Sequence, residues 1–259
     1  YAFFLNFTND HIDWHGNLKN YLNAKFKIFN LQNKNQFALL NKTHKSIYKK
    51  RKHLAKLVVP EANNYKKIKL KINNDYLNSE INDENMSFTY EFSKLIKIKK
   101  KSFIESMKSF KGLPHRFEIF LKKGGLTFVN DSKATTFTAA ISAIKSLRNI
   151  FWILGGLPKK NDKINLLKYK KNIIKCYIIG KNVNFFITQI KGKITFSISK
   201  NLRNAIIQSL KDYKSYKIIK EGCFILLSPG AASFDQFKNF EKRGNEFKRL
   251  SKIYARGII

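Results

Sequence analysis

The sequence is poor in cysteine and has no long apolar run. Its two cysteines, Cys176 and Cys223, each lie inside an apolar segment, which predicts buried thiols in a reducing compartment rather than a disulfide framework. Neither has the CxxC or HxxxH spacing of a structural zinc site. The longest apolar stretches, such as Ile150–Leu154 and Cys223–Leu227, are far shorter than the ~20 residues of a membrane-spanning helix. We therefore expect a cytoplasmic protein without a membrane span.

Acidic residues and arginine are also scarce. The chain has 17 Asp and Glu against 51 Lys and Arg, which gives a net charge of +34 and keeps nucleic-acid binding open as an alternative. However, only 7 of the 51 basic residues are arginine and 44 are lysine, whereas arginine is the residue that contacts phosphates and guanine bidentately. Lysine, asparagine, isoleucine and phenylalanine all have AT-rich codons. Genome composition acting on solvated positions is therefore the preferred explanation, and we expect no nucleic-acid partner.

From about Leu126 onward, apolar strand-like runs alternate with amphipathic helical stretches. The predicted strands are Leu126–Asn130, Ile150–Leu154, Asn172–Ile179, Ile194–Ile198 and Cys223–Leu227. Helices are expected at Thr135–Leu147 and after an N-cap at Ser199. A final long helix is predicted from residues at helical spacing, namely Phe234, Phe237, Phe240, Phe247, Leu250 and Tyr254. This alternation predicts an α/β domain whose mostly parallel sheet is doubly wound, with helices on both faces.

Ligands bind such sheets beyond the carboxyl ends of the strands. That rule selects three turns as the candidate site: Asn130–Thr135, Gly155–Asp162 and Ser228–Ser233.

Residues 1–112 have a different pattern. Helices are predicted at Leu18–Phe29, Glu80–Leu95 and Ser102–Phe110, and a strand at Gln36–Asn41, with a lysine-rich, poorly periodic region between them. The segment Lys111–Pro114 interrupts this pattern, so we predict two domains, 1–112 and 113–259. Because Tyr1 opens directly into an apolar run, the chain is expected to be a fragment whose upstream part is missing.

Five segments resemble the Mur ligase family, in particular its members that add D-glutamate, and they occur in the family's order. They are NFTNDHIDWHG (6–16), YLNAK (21–25), GLPHRFE (112–118), NDSKAT (130–135) and LSPGAASFDQFKNFEKRG (227–244). The resemblance implies a C-terminal Rossmann-like domain that binds the amino acid. It also implies that residues 1–112 are the C-terminal part of a central ATPase α/β domain, although the chain has no GxxxxGK[ST] P-loop.

The resemblance implies an ATP-dependent ligase that adds D-glutamate to UDP-N-acetylmuramoyl-L-alanine in peptidoglycan precursor synthesis. The implied cofactors are ATP and Mg²⁺, with Mn²⁺ as a second possibility, and the implied state is a monomer. Without its upstream part, this chain is expected to be inactive. A folylpolyglutamate synthase, or a ligase for another amino acid, is the alternative within the same superfamily.

The resemblance also assigns roles to individual residues. His11 and a carbamylated Lys25 would bind the metal, because carbamylation converts an ammonium into a hard oxygen ligand, and both would act in catalysis together with Lys133. The residues expected to bind ATP are Asn85, His115, Arg116, Asp131 and Lys133. Those expected to bind D-glutamate are Thr135, Lys159, Ser233 and Phe240, the last through its backbone.

Overall fold

The computed structural model describes residues 1–7, 12–74, 76–77, 82–160, 162–215 and 222–257. It divides into two compact units, Tyr1–Phe110 and Lys111–Ile259. Among the described residues, no helix is both long and apolar enough to cross a membrane.

The first unit contains a parallel three-stranded sheet in the order β1-β2-β3. Its strands are β1 (Ala2–Phe4), β2 (Phe37–Leu40) and β3 (Lys56–Val58). The described helices are α1 (Ile12–His15), α2 (Leu18–Phe26), α3 (Lys45–Lys50), α4 (Ala62–Ile72), α5 (Asp83–Leu95) and α6 (Lys100–Lys108). One apolar core lies on the sheet, around Phe4, Phe26 and Leu40. A second core lies among the helices, where Tyr65, Ile68 and Phe103 meet.

The sequence missed β3 and α4, which occupy the lysine-rich region. Helix α4 buries Tyr65, Ile68 and Ile72, which is the i, i+3, i+7 spacing of a helix face. Four lysines fall between these positions and hide the period in a simple scan for apolar residues. The region is therefore folded, and its description as poorly periodic was wrong.

The second unit is a six-stranded sheet in the order β4-β5-β9-β6-β7-β8. The strands are β4 (Glu118–Lys123), β5 (Leu126–Asn130), β6 (Ile150–Gly155), β7 (Ile173–Ile179), β8 (Phe196–Lys200) and β9 (Cys223–Leu227). The described helices are α7 (Phe137–Ser146), α8 (Val183–Ile190), α9 (Leu202–Ser215) and α10 (Phe240–Tyr254). All neighbouring strands are parallel except β4, which is antiparallel to β5.

Both faces of this sheet are covered. On one face, Phe128, Phe151 and Tyr177 pack against α9 and α10. The residues of opposite parity, such as Trp152 and Ile178, are also fully buried, and α8 packs against β6 and β7. The predicted α/β fold with a doubly wound, mostly parallel sheet is confirmed. Cys176 and Cys223 are buried in β7 and β9, as predicted.

Three local predictions were wrong. Strand β4 was not predicted; it forms a hairpin with β5 through Gly124 and Gly125, both with positive φ, as a two-residue loop requires. The N-cap of α9 is Asn201, whose Oδ1 accepts from the Asn204 N–H, because β8 extends through Lys200. The last helix begins at Phe240, so Phe234 lies outside it and is 69% exposed.

Candidate functional site

The turns after β5, β6 and β9 meet at the carboxyl edge of the second sheet because these strands are neighbours in the order β5-β9-β6. Backbone hydrogen bonds join the turns directly. The Gly230 N–H donates to the Ala134 carbonyl at 2.9 Å, and the Gly155 N–H donates to Pro229 at 3.0 Å. Leu157 and Ala232 exchange two hydrogen bonds of 2.8 and 3.0 Å. The structure therefore brings the three turns selected from the sequence into one site.

Asp131 lies at the end of β5 with both carboxylate oxygens bonded. Oδ1 accepts from the Phe117 N–H at 3.1 Å, and Oδ2 accepts from the Ser228 hydroxyl at 2.8 Å. Burial raises the pKa of this carboxyl to about 7, although those two hydrogen bonds and the charge of Arg116 oppose the shift. Asp131 therefore holds two loops together, while the Arg116 side chain is exposed.

His115 is buried beside Asn130 and has a positive φ of 63°. Its Nδ1 accepts from the Asn130 amide at 2.9 Å, which leaves the ring proton on Nε2. Burial lowers the pKa of His115, so the ring is neutral at physiological pH. A Cβ on Gly244 would lie 2.2 Å from Nδ1, so the glycine lets α10 approach the ring.

Glu118 completes this cluster from β4. Burial raises the pKa of its carboxyl, but hydrogen bonds from Lys248 and the His115 N–H outweigh that effect, and the pKa is lowered overall. Its oxygens accept from the Lys248 Nζ at 2.7 Å, the His115 N–H at 3.0 Å and the Asn130 amide at 2.9 Å. The carboxylate thus fixes the His115 loop against β5.

Lys133 and Phe240 lie side by side at the turn after β5. The Lys133 Nζ is 3.8 Å from the centre of the Phe240 ring, which is cation–π geometry. The Ser132 hydroxyl donates to the Phe240 carbonyl at 2.8 Å. The first turn of α10 is therefore attached to the turn that carries Lys133.

The other residues predicted to bind D-glutamate lie on the same three turns. Thr135 directly precedes Thr136, the N-cap of α7, whose hydroxyl accepts from the Ala139 N–H. The Phe137 N–H donates to Asp162 at 2.9 Å, and this contact links α7 to the turn that contains Lys159. Ser233 is buried after β9. The structure thus places Thr135, Lys159, Ser233 and Phe240 around one edge of the sheet, and their ligand remains a prediction.

Sequence reasoning missed Arg243, although it lay inside a segment used for the resemblance. The side chain is 1% exposed. Its Nε donates to the Ser132 hydroxyl at 3.0 Å, and its Nη2 donates to the carbonyls of Ser132 and Ala231 at 2.9 and 3.0 Å. The buried stripe of α10 could have revealed it, because Arg243 lies at helical spacing with Phe247 and Leu250.

In the first unit, a cleft of about 790 Å³ opens beyond β2 and β3. Asn41, which follows β2, donates from its side-chain amide to Glu84 of α5 across this cleft. Asn85, the predicted adenine contact, is the exposed neighbour of Glu84. The cleft lies at the carboxyl edge of a parallel sheet, where ligands of α/β proteins bind.

The sequence predicts two metal ligands, His11 and Lys25, of which His11 lies outside the described residues. Lys25 is exposed at the end of α2, with its Nζ 5.5 Å from the centre of the Tyr21 ring. Within the described ranges, no three His, Cys, Asp or Glu side chains form a group that could bind a metal ion. An unmodified Lys25 would repel a divalent cation, and its role as a carbamate ligand stays a prediction.

The chain is similar to known proteins over most of its length. Residues 1–109 match the Mur ligase middle domain. The chain is 34% identical over 272 residues to UDP-N-acetylmuramoylalanine–D-glutamate ligase of Rickettsia bellii, covering 96% of this chain and 60% of that protein. A protein of the same name from Wolbachia sp. subsp. Brugia malayi is also 34% identical, over 95% of this chain and 52% of its own length. The chain thus spans about 60% of the curated relative from Rickettsia bellii.

Solved structures share the fold at low sequence identity. The MurF ligase from Thermotoga maritima, in complex with ADP, matches 98% of this chain and 62% of its own, with a TM-score of 0.62 and 13% identity. A bifunctional folylpolyglutamate synthase/dihydrofolate synthase from Yersinia pestis, complexed with AMPPNP and Mn ion, matches 96% of this chain and 60% of its own, with a TM-score of 0.58 and 10% identity.

Proposed function

Since this chain belongs to the Mur ligase family, we propose that it forms the ATP-dependent transfer and amino-acid-binding part of a ligase that joins D-glutamate to UDP-N-acetylmuramoyl-L-alanine. The 34% identity to the Rickettsia bellii ligase across 96% of the chain carries the proposal. The convergence of Lys133, Ser233 and Phe240 on one sheet edge supports it, because a substrate with two carboxylates needs cations and hydrogen-bond donors close together.

The proposed reaction makes an amide in two steps. ATP first transfers its γ-phosphoryl group to the carboxylate of UDP-N-acetylmuramoyl-L-alanine, giving an acyl phosphate and ADP. The amine of D-glutamate then attacks the acyl carbon, and phosphate leaves as the amide forms. The ammonium of Lys133 offsets the negative charge that develops on the transferred group, which is the main form of catalysis available to phosphoryl transfer.

Nucleotide-binding roles are proposed for each unit by itself. In the second unit, the exposed guanidinium of Arg116 suits phosphates, and in the first unit Asn85 is the proposed adenine contact. His115 and Asp131 hold the loop that carries Arg116 in place. An oxygen of the Asp131 carboxylate has a second lone pair that can accept a hydrogen bond from a ribose hydroxyl.

Mg²⁺, or Mn²⁺ in its place, would be held by His11 and the carbamate of Lys25. The exposure of Lys25 fits this assignment, since carbon dioxide can reach its amine. The metal would neutralise charge on the phosphate oxygens.

For D-glutamate, we propose that Lys159 and Thr135 bind one carboxylate. The Ser233 hydroxyl and the backbone N–H of Phe240 would bind the other. Phe240 is the first residue of α10, where backbone N–H groups have no partner within the helix and favour an anion.

The test is phosphate release by two proteins: the 259-residue chain, and a hybrid in which the upstream part of the Rickettsia bellii ligase precedes Tyr1. Each receives ATP, Mg²⁺, UDP-N-acetylmuramoyl-L-alanine and one amino acid at a time. We expect D-glutamate-dependent release by the hybrid and a loss of at least about 100-fold in Lys133→Ala, the size of a lost charge contact in a transition state. Lys191→Ala is the control, because Lys191 is exposed in the turn after α8.

Each other outcome is informative. Release that depends on another amino acid would keep the mechanism and overturn the specificity. Release with a folate and L-glutamate would favour the folylpolyglutamate synthase alternative. A hybrid that is folded by circular dichroism but releases no phosphate with any substrate would contradict the proposal.

A further inference from the structure

Arg243 occupies the centre of the three turns. Of its three described acceptors, two belong to Ser132 in the turn after β5, and the third is the carbonyl of Ala231 in the turn after β9. The turn after β6 lies beside it, because a Cβ built on Gly156 would be 3.2 Å from its Nη1. One side chain therefore hydrogen-bonds two of the three segments that form the candidate site and lies next to the third.

Burying the guanidinium of Arg243 at this position costs free energy. Burial lowers the pKa of Arg243 to about 10, and the charge of Asp235 opposes that shift, so the group stays protonated at neutral pH. Its Nη1 is buried without a hydrogen-bond partner. Buried charged groups of this kind often contribute less to stability than an apolar side chain of the same volume. The folding of the unit alone thus gives little reason for an arginine at this position.

The acceptors of Arg243 adjoin the residues that the proposed reaction uses. Ser132 precedes Lys133, and its hydroxyl also donates to the Phe240 carbonyl at 2.8 Å. Ala231 lies two residues before Ser233. A shift of the guanidinium would therefore displace both sides of the glutamate pocket together.

We infer that Arg243 is a positioning residue that sets the spacing between the Lys133 turn and the Ser233 turn, and thereby the affinity for the incoming amino acid. The catalytic consequence of this inference rests on the proposed function, whereas the structural part does not. Arg243 contacts the loops and not the substrate, so its loss acts through Lys133, Ser233 and Phe240.

The structural part is tested by hydrogen exchange in the 259-residue chain. In Arg243→Met, the amide of Lys133 and the amides that join the turns are expected to exchange at least about tenfold faster, because the Ser132 and Ala231 segments lose charge-assisted hydrogen bonds. The joining amides belong to Leu157, Gly230 and Ala232, whereas the Lys133 N–H donates to the His115 carbonyl. The amides of β6 should keep their protection, since that strand is bonded on both sides.

Arg249→Met is the matched control for this experiment. Arg249 lies on the same helix, is exposed and pairs with Glu246 at 2.7 Å, so its loss should leave the four amides unchanged. If Arg243→Met does not fold, Arg243→Lys keeps the charge but cannot span three acceptors, and a smaller increase at the same amides is expected. Unchanged exchange at those amides in a folded Arg243 variant would overturn the inference.

The catalytic part is tested in the hybrid ligase. We expect Arg243→Met to raise KM for D-glutamate by at least about tenfold and to raise KM for ATP less, because Lys133 is the one displaced residue that is also proposed to bind ATP. A role in stability alone would lower the active fraction and hence kcat, with both KM values unchanged, and would overturn the catalytic part. A wild-type hybrid without activity would contradict the proposed function, while the exchange experiment would still decide whether Arg243 positions the turns.

Discussion

At the scale of single residues, Asp131 combines burial with a titration near neutral pH. Its pKa is raised from 3.8 to about 7, so the folded state binds this proton more tightly than the unfolded state does. Stability from this group is therefore present at low pH and is lost as the pH rises through 7. The sign is opposite to that of an ordinary ion-paired carboxylate.

We predict that Asp131→Asn removes this loss of unfolding free energy with rising pH. From pH 5 to pH 8, the wild-type chain should lose about 2–3 kcal/mol of unfolding free energy relative to the variant. Urea unfolding at both pH values measures this difference, followed by the fluorescence of Trp152, which is buried in the second unit. The Trp14→Phe background removes the other tryptophan. Equal pH dependence in the two chains would show that Asp131 titrates normally.

The sequence could assign the loops of the candidate site but not the direction of each side chain. The segment 130–135 was correctly placed at the sheet edge because parallel strands end there. The hydroxyl of Thr136 caps α7, as Ser, Thr, Asp and Asn commonly do. The burial of Arg243 could have been inferred from its helical spacing with Phe247 and Leu250, but its partners could not, because they are backbone and hydroxyl groups more than 100 residues away on the Ser132 side.

At the scale of elements, apolar runs were predicted within about two residues of the observed strands. In β3 and α4, which were missed, lysine interrupts the apolar pattern, and in β4 a short turn creates an edge strand. Helix α8 was also missed, although it contains no lysine. Edge and surface elements bury few residues, so the hydrophobic period that reveals an element is weak there.

The junction between β6 and β7 gives a prediction at this scale. A Cβ on Gly155 would lie 2.0 Å from the Ile179 carbonyl oxygen, and φ at Gly155 is +134°. Gly155→Ala should therefore lower the unfolding free energy of the second unit by more than about 3 kcal/mol, from backbone strain and overpacking together. Gly192→Ala is the control: its φ is also positive, but nothing lies within 4 Å, so strain alone should cost about 1 kcal/mol.

Urea unfolding followed by Trp152 fluorescence compares these two variants in the Trp14→Phe background. Similar losses of stability in both would mean that β6 and β7 can separate to accept the methyl group.

Helix α6 begins with an unfavourable charge pattern. Its N-cap is Lys99, which makes no side-chain capping bond, and the first turn contains Lys100 and Lys101 but no acid. Cations at this end oppose the helix dipole. Lys99→Asp should add a cap and reverse the charge, and raise the unfolding free energy of the first unit by about 1 kcal/mol.

Calorimetry of the chain measures this gain, and hydrogen exchange at the α6 amides localises it. Lys99→Glu is the matched control, since it makes the same charge change with a poorer capping side chain. If both variants gain equally, the effect is electrostatic; no gain in either would contradict the prediction.

At the scale of the whole molecule, acidic residues are scarce at the N-termini of the described helices. The first turns of α2, α4, α6 and α7 contain no acid, whereas α5 and α10 do. Some carboxylates are paired, as in Lys69–Asp83 and Lys248–Glu118. With 51 basic residues and 17 acidic ones, however, most cations cannot have an acidic partner.

A net charge of +34 should therefore destabilise the folded chain through self-repulsion. Sodium chloride shortens the screening length from about 10 Å at 0.1 M to about 3 Å at 1 M. We predict that Tm rises by a few °C over this range. This rise corresponds to about 1 kcal/mol of stability, since 1 kcal/mol shifts Tm by roughly 2–4 °C. Replacing the exposed Lys168, Lys170 and Lys171 by glutamate lowers the net charge to +28 and should reduce the salt dependence. A Tm that falls with salt would instead mean that the ion pairs outweigh the repulsion, because screening weakens attraction and repulsion alike.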